Sequence, residues 1–156
     1  MTELHLRNRQ RAYPLNLRLL RRIAQTVLTE LFGSTSGELG IHLLGPQSMA
    51  KLNWDFLQHE GPTDVITFNH SQNDGALYGE IFICPKVAVE QARRYQVAWQ
   101  KELTRYLVHG LLHLKGYDDK TSKVRRIMKK HENRLVRRMA DRFPLNELGQ
   151  HPRLDV

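Results

Sequence analysis

His109 and His113 stand four residues apart in the stretch LVHGLLHLKGYDD, with Gly116 three residues further on and Asp119 three beyond that. Residues i and i+4 of a helix lie one turn apart on the same face, so two imidazoles at this spacing can converge on one ion. Leu103, Tyr106, Leu107, Leu111 and Leu114 form a stripe at about 100° per residue. The helix therefore has a core face that does not use the histidines, which share a neighbouring one. Gly116 can end the helix in a left-handed conformation and turn the chain back, bringing Asp118 and Asp119 within reach as a third ligand. The pattern H-x-x-x-H-x-x-G-x-x-D predicts a divalent metal held by two imidazoles and one carboxylate. A two-histidine, one-carboxylate set also suits non-haem iron, although no cosubstrate pocket is visible in the sequence.

The spacing resembles that of zinc metallopeptidases, with the last histidine replaced. It departs from them where it matters for peptide hydrolysis, because Gly110 follows the first histidine where those enzymes carry their general-base glutamate. Glu102 shares the histidine face but lies two turns from His109, about 10 Å along the axis. The sequence therefore argues against a peptidase.

The elements that must position this helix can be read from periodicity. ELHLRNR alternates like an edge strand, and YPLNLRLLRRIAQTVLTELFG is an amphipathic helix with Pro14 near its start and Gly33 at its end. ELGIHLLG, TDVITFN and LYGEIFIC read as strands, the last two separated by the turn-rich HSQNDGA; PQSMAKLNWDFLQ and PKVAVEQARRYQV read as helices. With the histidine helix and one more after it, the order is strand, helix, strand, helix, strand, strand and three helices. That order predicts an α/β (α+β) layer arrangement: a single domain, a mixed four-stranded sheet packed with about five helices, and the metal site on a central helix and the turn after it. We assign residues 1–143 to this domain and read 144–156 as a loose tail.

The chain of 156 residues carries 24 Lys and Arg against 16 Asp and Glu, a formal net charge of +8. Its isoelectric point is near 9.9. Ten of the basic residues fall between Lys120 and Arg142, where Val124, Ile127, Met128, His131, Leu135 and Met139 recur at helical spacing. One face of this helix is expected to pack, leaving a basic surface on which Lys123, Arg126, Lys130 and Arg137 are candidate phosphate contacts. A solvated face that serves solubility is the alternative. No run of 18 apolar residues and no secretory leader is visible, and Cys84 is the single cysteine, expected as a small buried residue at a strand end. These features predict a cytoplasmic protein without a membrane partner.

HGLLHLKGYDD resembles the HGxLHLxGYDH signature of the YbeY family, bacterial endoribonucleases and ribosomal RNA maturation factors. LNWDFLQHEGPTDVITF, Leu52 to Phe68, is similar to that family's LNxxYRxxDxPTDVLSF block, and GEIFIC, Gly79 to Cys84, to its following strand. The resemblance runs from about Leu39 to His131. It implies one zinc per chain, cleavage of single-stranded RNA, and work in small-subunit (16S) ribosomal RNA maturation and ribosome quality control, with the small ribosomal subunit or its assembly factors as partner. By position His109 and His113 match two zinc ligands, and Asp119 stands where the third histidine belongs. A carboxylate is a legitimate zinc ligand, but two imidazoles and a carboxylate leave a formal +1 where three imidazoles leave +2, so bound water is expected to be less acidified. Asp118 is a candidate partner orienting a ligand histidine, or else a cap on the turn. Thr63 and Asp64 are candidate cleft residues, or else the start of a strand.

Two further departures matter. The family's arginine in the LNxxYR block aligns with Leu57, which removes a cation expected to stabilise charge on the phosphate. His59 or a basic residue from another segment could stand in. Asn69 replaces a proline, a milder change. The rival expectation is an RNA-binding assembly factor without catalysis, in which the metal is structural.

Overall fold

The computed structural model describes residues 1–150. The elements follow the expected order: β1 (Thr2–Asn8), α1 (Leu17–Phe32), β2 (Gly37–Leu43), α2 (Pro46–Leu57), β3 (Val65–Asn69), β4 (Leu77–Ile83), α3 (Pro85–Tyr95), α4 (Trp99–Lys115) and α5 (Ser122–Arg142), then a 3-10 turn at Leu145–Leu148. The sheet order is β1-β2-β4-β3; β1, β2 and β4 run parallel and β3 pairs antiparallel with β4. The fold is the mixed four-stranded α/β arrangement that the sequence predicts.

Strand alternation divides the sheet's two faces. Leu4, Leu39, Ile41, Leu43, Ile81 and Ile83 are buried beneath the helices. Glu3, His5, Arg7, Glu38, His42 and Glu80 occupy alternate positions and face the other way. Among the described residues that second face is covered at the β3 side alone, where Met49 and Leu52 of α2 pack with Ile66, Phe68 and Phe82.

Helix α4 is the hub of the larger core and packs against α1, α3, α5, β3 and β4. Its buried side is wider than a single stripe, since Val108, Gly110 and Leu112 are enclosed along with Leu103, Leu107 and Leu111. Gly110 lets the helix approach the sheet: a Cβ there would lie 2.9 Å from Ile81 Cγ2, inside any tolerable contact. The residue that departs from the peptidase pattern is thus one that the packing requires to be small.

In α5 the buried residues are Met128, Glu132, Leu135, Val136 and Met139. Ile127, expected in this stripe, is 44% exposed. Only a narrow face of α5 meets α4, and Ile127 lies outside it. The expected loose tail needs correction over its first part. Leu145 and Leu148 are buried, and Leu15 pairs with Gly149, because apolar side chains three apart in the 3-10 turn find a place in the core. The rest of that segment, 151–156, lies outside the described residues. Cys84 is buried at the end of β4. Among the described residues no helix is long and apolar enough to cross a membrane.

Candidate metal centre

His109 and His113 project from the last turns of α4 with their Nε2 atoms 3.1 Å apart and their rings edge to face. Gly116, at φ 113°, ends the helix, and its N–H donates to the His113 carbonyl. The reversed chain is then fixed by Asp118, whose Oδ1 accepts from the backbone N–H groups of Asp119 (2.7 Å) and Lys120 (3.1 Å). This places Asp119 Oδ2 at 3.8 Å from His109 Nε2 and 3.6 Å from His113 Nε2.

The three ligand atoms suit a small divalent ion. A tetrahedral site with bonds of about 2.0–2.1 Å has edges of about 3.3–3.4 Å between donors, and the triangle here is close to that in size. His109, His113 and Asp119 are all partly buried, open enough to leave a further position accessible. Burial lowers the His113 pKa below the ordinary imidazole value, and the adjacent His109 lowers it further while Asp119 opposes the shift. The neutral imidazole that results is the form that ligates.

Behind these three candidate ligands lies Glu132, which by sequence alone is only a minority charge in a basic helix. It is 4% exposed, and its Oε1 sits 2.9 Å from His109 Nδ1. Its Oε2 accepts from Arg105 (2.9 Å) and Lys129 (3.1 Å), and Arg105 also donates to Asn133 Oδ1. Burial alone would raise the Glu132 pKa, but the hydrogen bonds from His109, Arg105 and Lys129 outweigh it and hold the value at about 2. An ionised Glu132 accepts an N–H from His109 Nδ1, and in that tautomer the Nε2 lone pair faces His113 and Asp119. The residue against His109 Nδ1 is therefore Glu132, while Asp118 caps the turn. A signal for Glu132 exists in the sequence: with Met128, Leu135 and Met139 it lies on the apolar stripe of α5, an acid where a hydrophobe would be expected.

The other candidates fall elsewhere. Lys123, Arg126, Lys130 and Arg137 are all exposed. At 100° per residue they cluster within roughly 60°, on the side of α5 opposite its buried stripe, so the structure does not bring them to the metal cluster. Thr63 and Asp64 open β3, with Asp64 Oδ1 accepting from the Val65 N–H. Glu102 is held protonated more readily than usual, by burial first and by nearby Glu132 and Asp64, while Arg105 and Lys129 oppose this. Leu57 is exposed at the end of α2 beside exposed Trp54 and Phe56, and His59 is exposed in the loop that follows.

A family model described as Endoribonuclease YbeY matches residues 5–140. The chain is 38% identical over 109 residues to the Endoribonuclease YbeY of Elusimicrobium minutum, covering 67% of this chain and 76% of that one. It is 35% identical over 126 residues to that of Chlorobaculum tepidum, covering 76% and 91% respectively. A solution structure of a Thermotoga maritima protein superposes with a TM-score of 0.61 at 25% identity, covering 91% of this chain and 94% of that one. The family model covers most of the chain, the fold superposes and the relatives share more than a third of the matched residues, and the chain belongs to the YbeY endoribonuclease family.

Proposed function

We propose that this protein is a zinc-dependent endoribonuclease that cuts single-stranded RNA in small-subunit ribosomal RNA maturation, with the small ribosomal subunit or its assembly factors as partner. The observation that carries the reading is the triangle of His109, His113 and Asp119, backed by the buried Glu132. The donor set of two imidazole nitrogens and one carboxylate oxygen fits zinc. When bound, the metal supplies Lewis-acid chemistry, lowering the pKa of water and polarising a phosphoryl oxygen.

The protein's own residues set the conditions for that chemistry. Glu132 keeps the Nδ1 proton on His109 and fixes the ring, and Arg105 and Lys129 keep Glu132 ionised. Asp119 brings a negative charge that three imidazoles would not, which favours retention of a dication. The basic face of α5 attracts the phosphate backbone without reading sequence.

The test is cleavage of a labelled single-stranded RNA and of the same sequence as a duplex, with and without chelator. The reading predicts cutting of the single strand only, lost on chelation and recovered with zinc. Leu57 in place of the family's arginine favours one other reading, a binder without catalysis. RNA binding with no cleavage under any metal would establish that reading instead.

A further inference from the structure

Beside the metal cluster a cavity of about 220 Å³ is lined by His109, Asp119, Arg125, Met128, Lys129 and Glu132. Its volume is that of about seven waters, room for one phosphodiester group with part of its hydration. Three cations surround Glu132 and this cavity, and two of them are committed. Arg105 Nη1 donates to Glu132 and Asn133, and Lys129 Nζ pairs with Glu132.

Arg125 differs from both. Its Nε donates to the backbone carbonyl of Asp119 at 3.3 Å, which ties the guanidinium to the carboxylate ligand's own segment. Among the described residues no carboxylate pairs with it, so its terminal N–H groups remain for an anion. By the same 100° count it falls within the arc of the buried stripe, one turn ahead of Met128 and two ahead of Glu132, where it is exposed on the cavity side, whereas Lys123, Arg126, Lys130 and Arg137 lie on the opposite side of the helix. A planar guanidinium fits two phosphate oxygens at once.

We propose that Arg125 is the cation that contacts the scissile phosphate in this site, in the role that Leu57 leaves unfilled at the family's arginine position. This rests on the nuclease reading, and a metal-free test of phosphate binding would not suffice, so both properties are measured on zinc-loaded protein. Arg125 holds two non-bridging oxygens of the phosphodiester as negative charge builds on them. It transfers no proton and forms no bond, and its contribution is larger in the transition state than in the ground state.

The experiment compares wild type with Arg125→Ala and with Arg125→Gln, which keeps a donor for the Asp119 carbonyl should alanine loosen the metal site. Metal content is measured first, then single-turnover cleavage of a single-stranded RNA, then binding of inorganic phosphate by calorimetry. The expected result is a rate lower by about 100 to 1000-fold with metal content kept, and phosphate binding at least tenfold weaker. A metal-loaded variant that cleaves at the wild-type rate overturns the proposal. If wild type cuts no RNA, the nuclease reading fails by itself and phosphate binding decides: unchanged affinity in the variants overturns the role of Arg125, and weakened affinity upholds it as a phosphate site.

Discussion

Two regions of the described residues gather histidines and carboxylates at ligand spacing: the partly buried His109, His113 and Asp119, and the exposed Glu3, His5 and Glu38 on the open sheet face, and they differ in what stands behind the rings. On the open sheet face, a groove of about 670 Å³ is lined by His5, His42, His70, Glu38 and Glu80, among others. There Glu80 sits between two rings, 3.2 Å from His42 Nε2 and 3.1 Å from His70 Nε2, so the nitrogens are spent on one shared carboxylate. Glu80 and His70 are themselves 40% and 55% exposed. At the end of α4 the carboxylate that orients His109 is a different one from the carboxylate that would ligate, and it is buried and ionised. The count of histidines does not separate these regions. What separates them is a second, enclosed carboxylate that fixes a ring from behind while the ligand faces stay free.

Breaking that enclosed carboxylate should produce the largest effect. Glu132 is held at about 2 against an ordinary 4.5. Because the folded-state value is the lower one, the stability it contributes is present above about pH 4.5 and is lost as pH falls toward 2. At about 1.4 kcal/mol per unit this is roughly 3 kcal/mol. Urea unfolding of metal-free protein across this range should show the loss, and Glu132→Gln should be markedly flatter; parallel curves would contradict the assignment.

Next in size is the metal affinity itself. Glu132→Gln should weaken zinc binding by about 10 to 100-fold, while Glu80→Gln on the sheet face should leave it as in wild type. Competition against a chelating dye checks both, and equal losses would erase the distinction between the two regions. Gly110→Ala then tests the packing beneath the site. Its new Cβ would meet Ile81 at 2.9 Å, and we expect a loss of about 1–3 kcal/mol in chemical unfolding. No loss would mean that α4 stands further from β4 than this close approach requires.

The smallest effect on chemistry is expected from the solvent face of α5. Neutralising Lys123, Arg126, Lys130 and Arg137 together should reduce the salt dependence of RNA binding, by roughly 0.7 in log-log slope for each phosphate no longer neutralised by the protein. The cleavage rate at saturating RNA should stay unchanged. A wild-type slope would make this a solvated face only.

Much of the site is legible in the sequence because it is local. His109, His113, Gly116 and Asp119 lie within eleven residues, and helix periodicity with one left-handed turn is enough to bring them together. The apolar stripe of α5 marks Glu132 only as a buried acid and marks Arg125 not at all, because their link to the histidines depends on how α5 lies across α4, a packing that sequence spacing does not fix. Ile127 misleads for the same reason: the apolar pattern shows that α5 packs, but the width and phase of the covered face depend on its neighbour. Leu145 and Leu148 are hidden by the polar residues around them, since two leucines become visible as core only when the space they fill is known.

The central claim is that the α4–α5 cluster, and not the open sheet face, is the metal centre. Zinc content of purified wild type, His113→Ala and His70→Ala, each reloaded and dialysed alike, tests this most directly. We predict about one zinc per chain in wild type and in His70→Ala and almost none in His113→Ala. Equal zinc in all three, or a loss confined to His70→Ala, would contradict it.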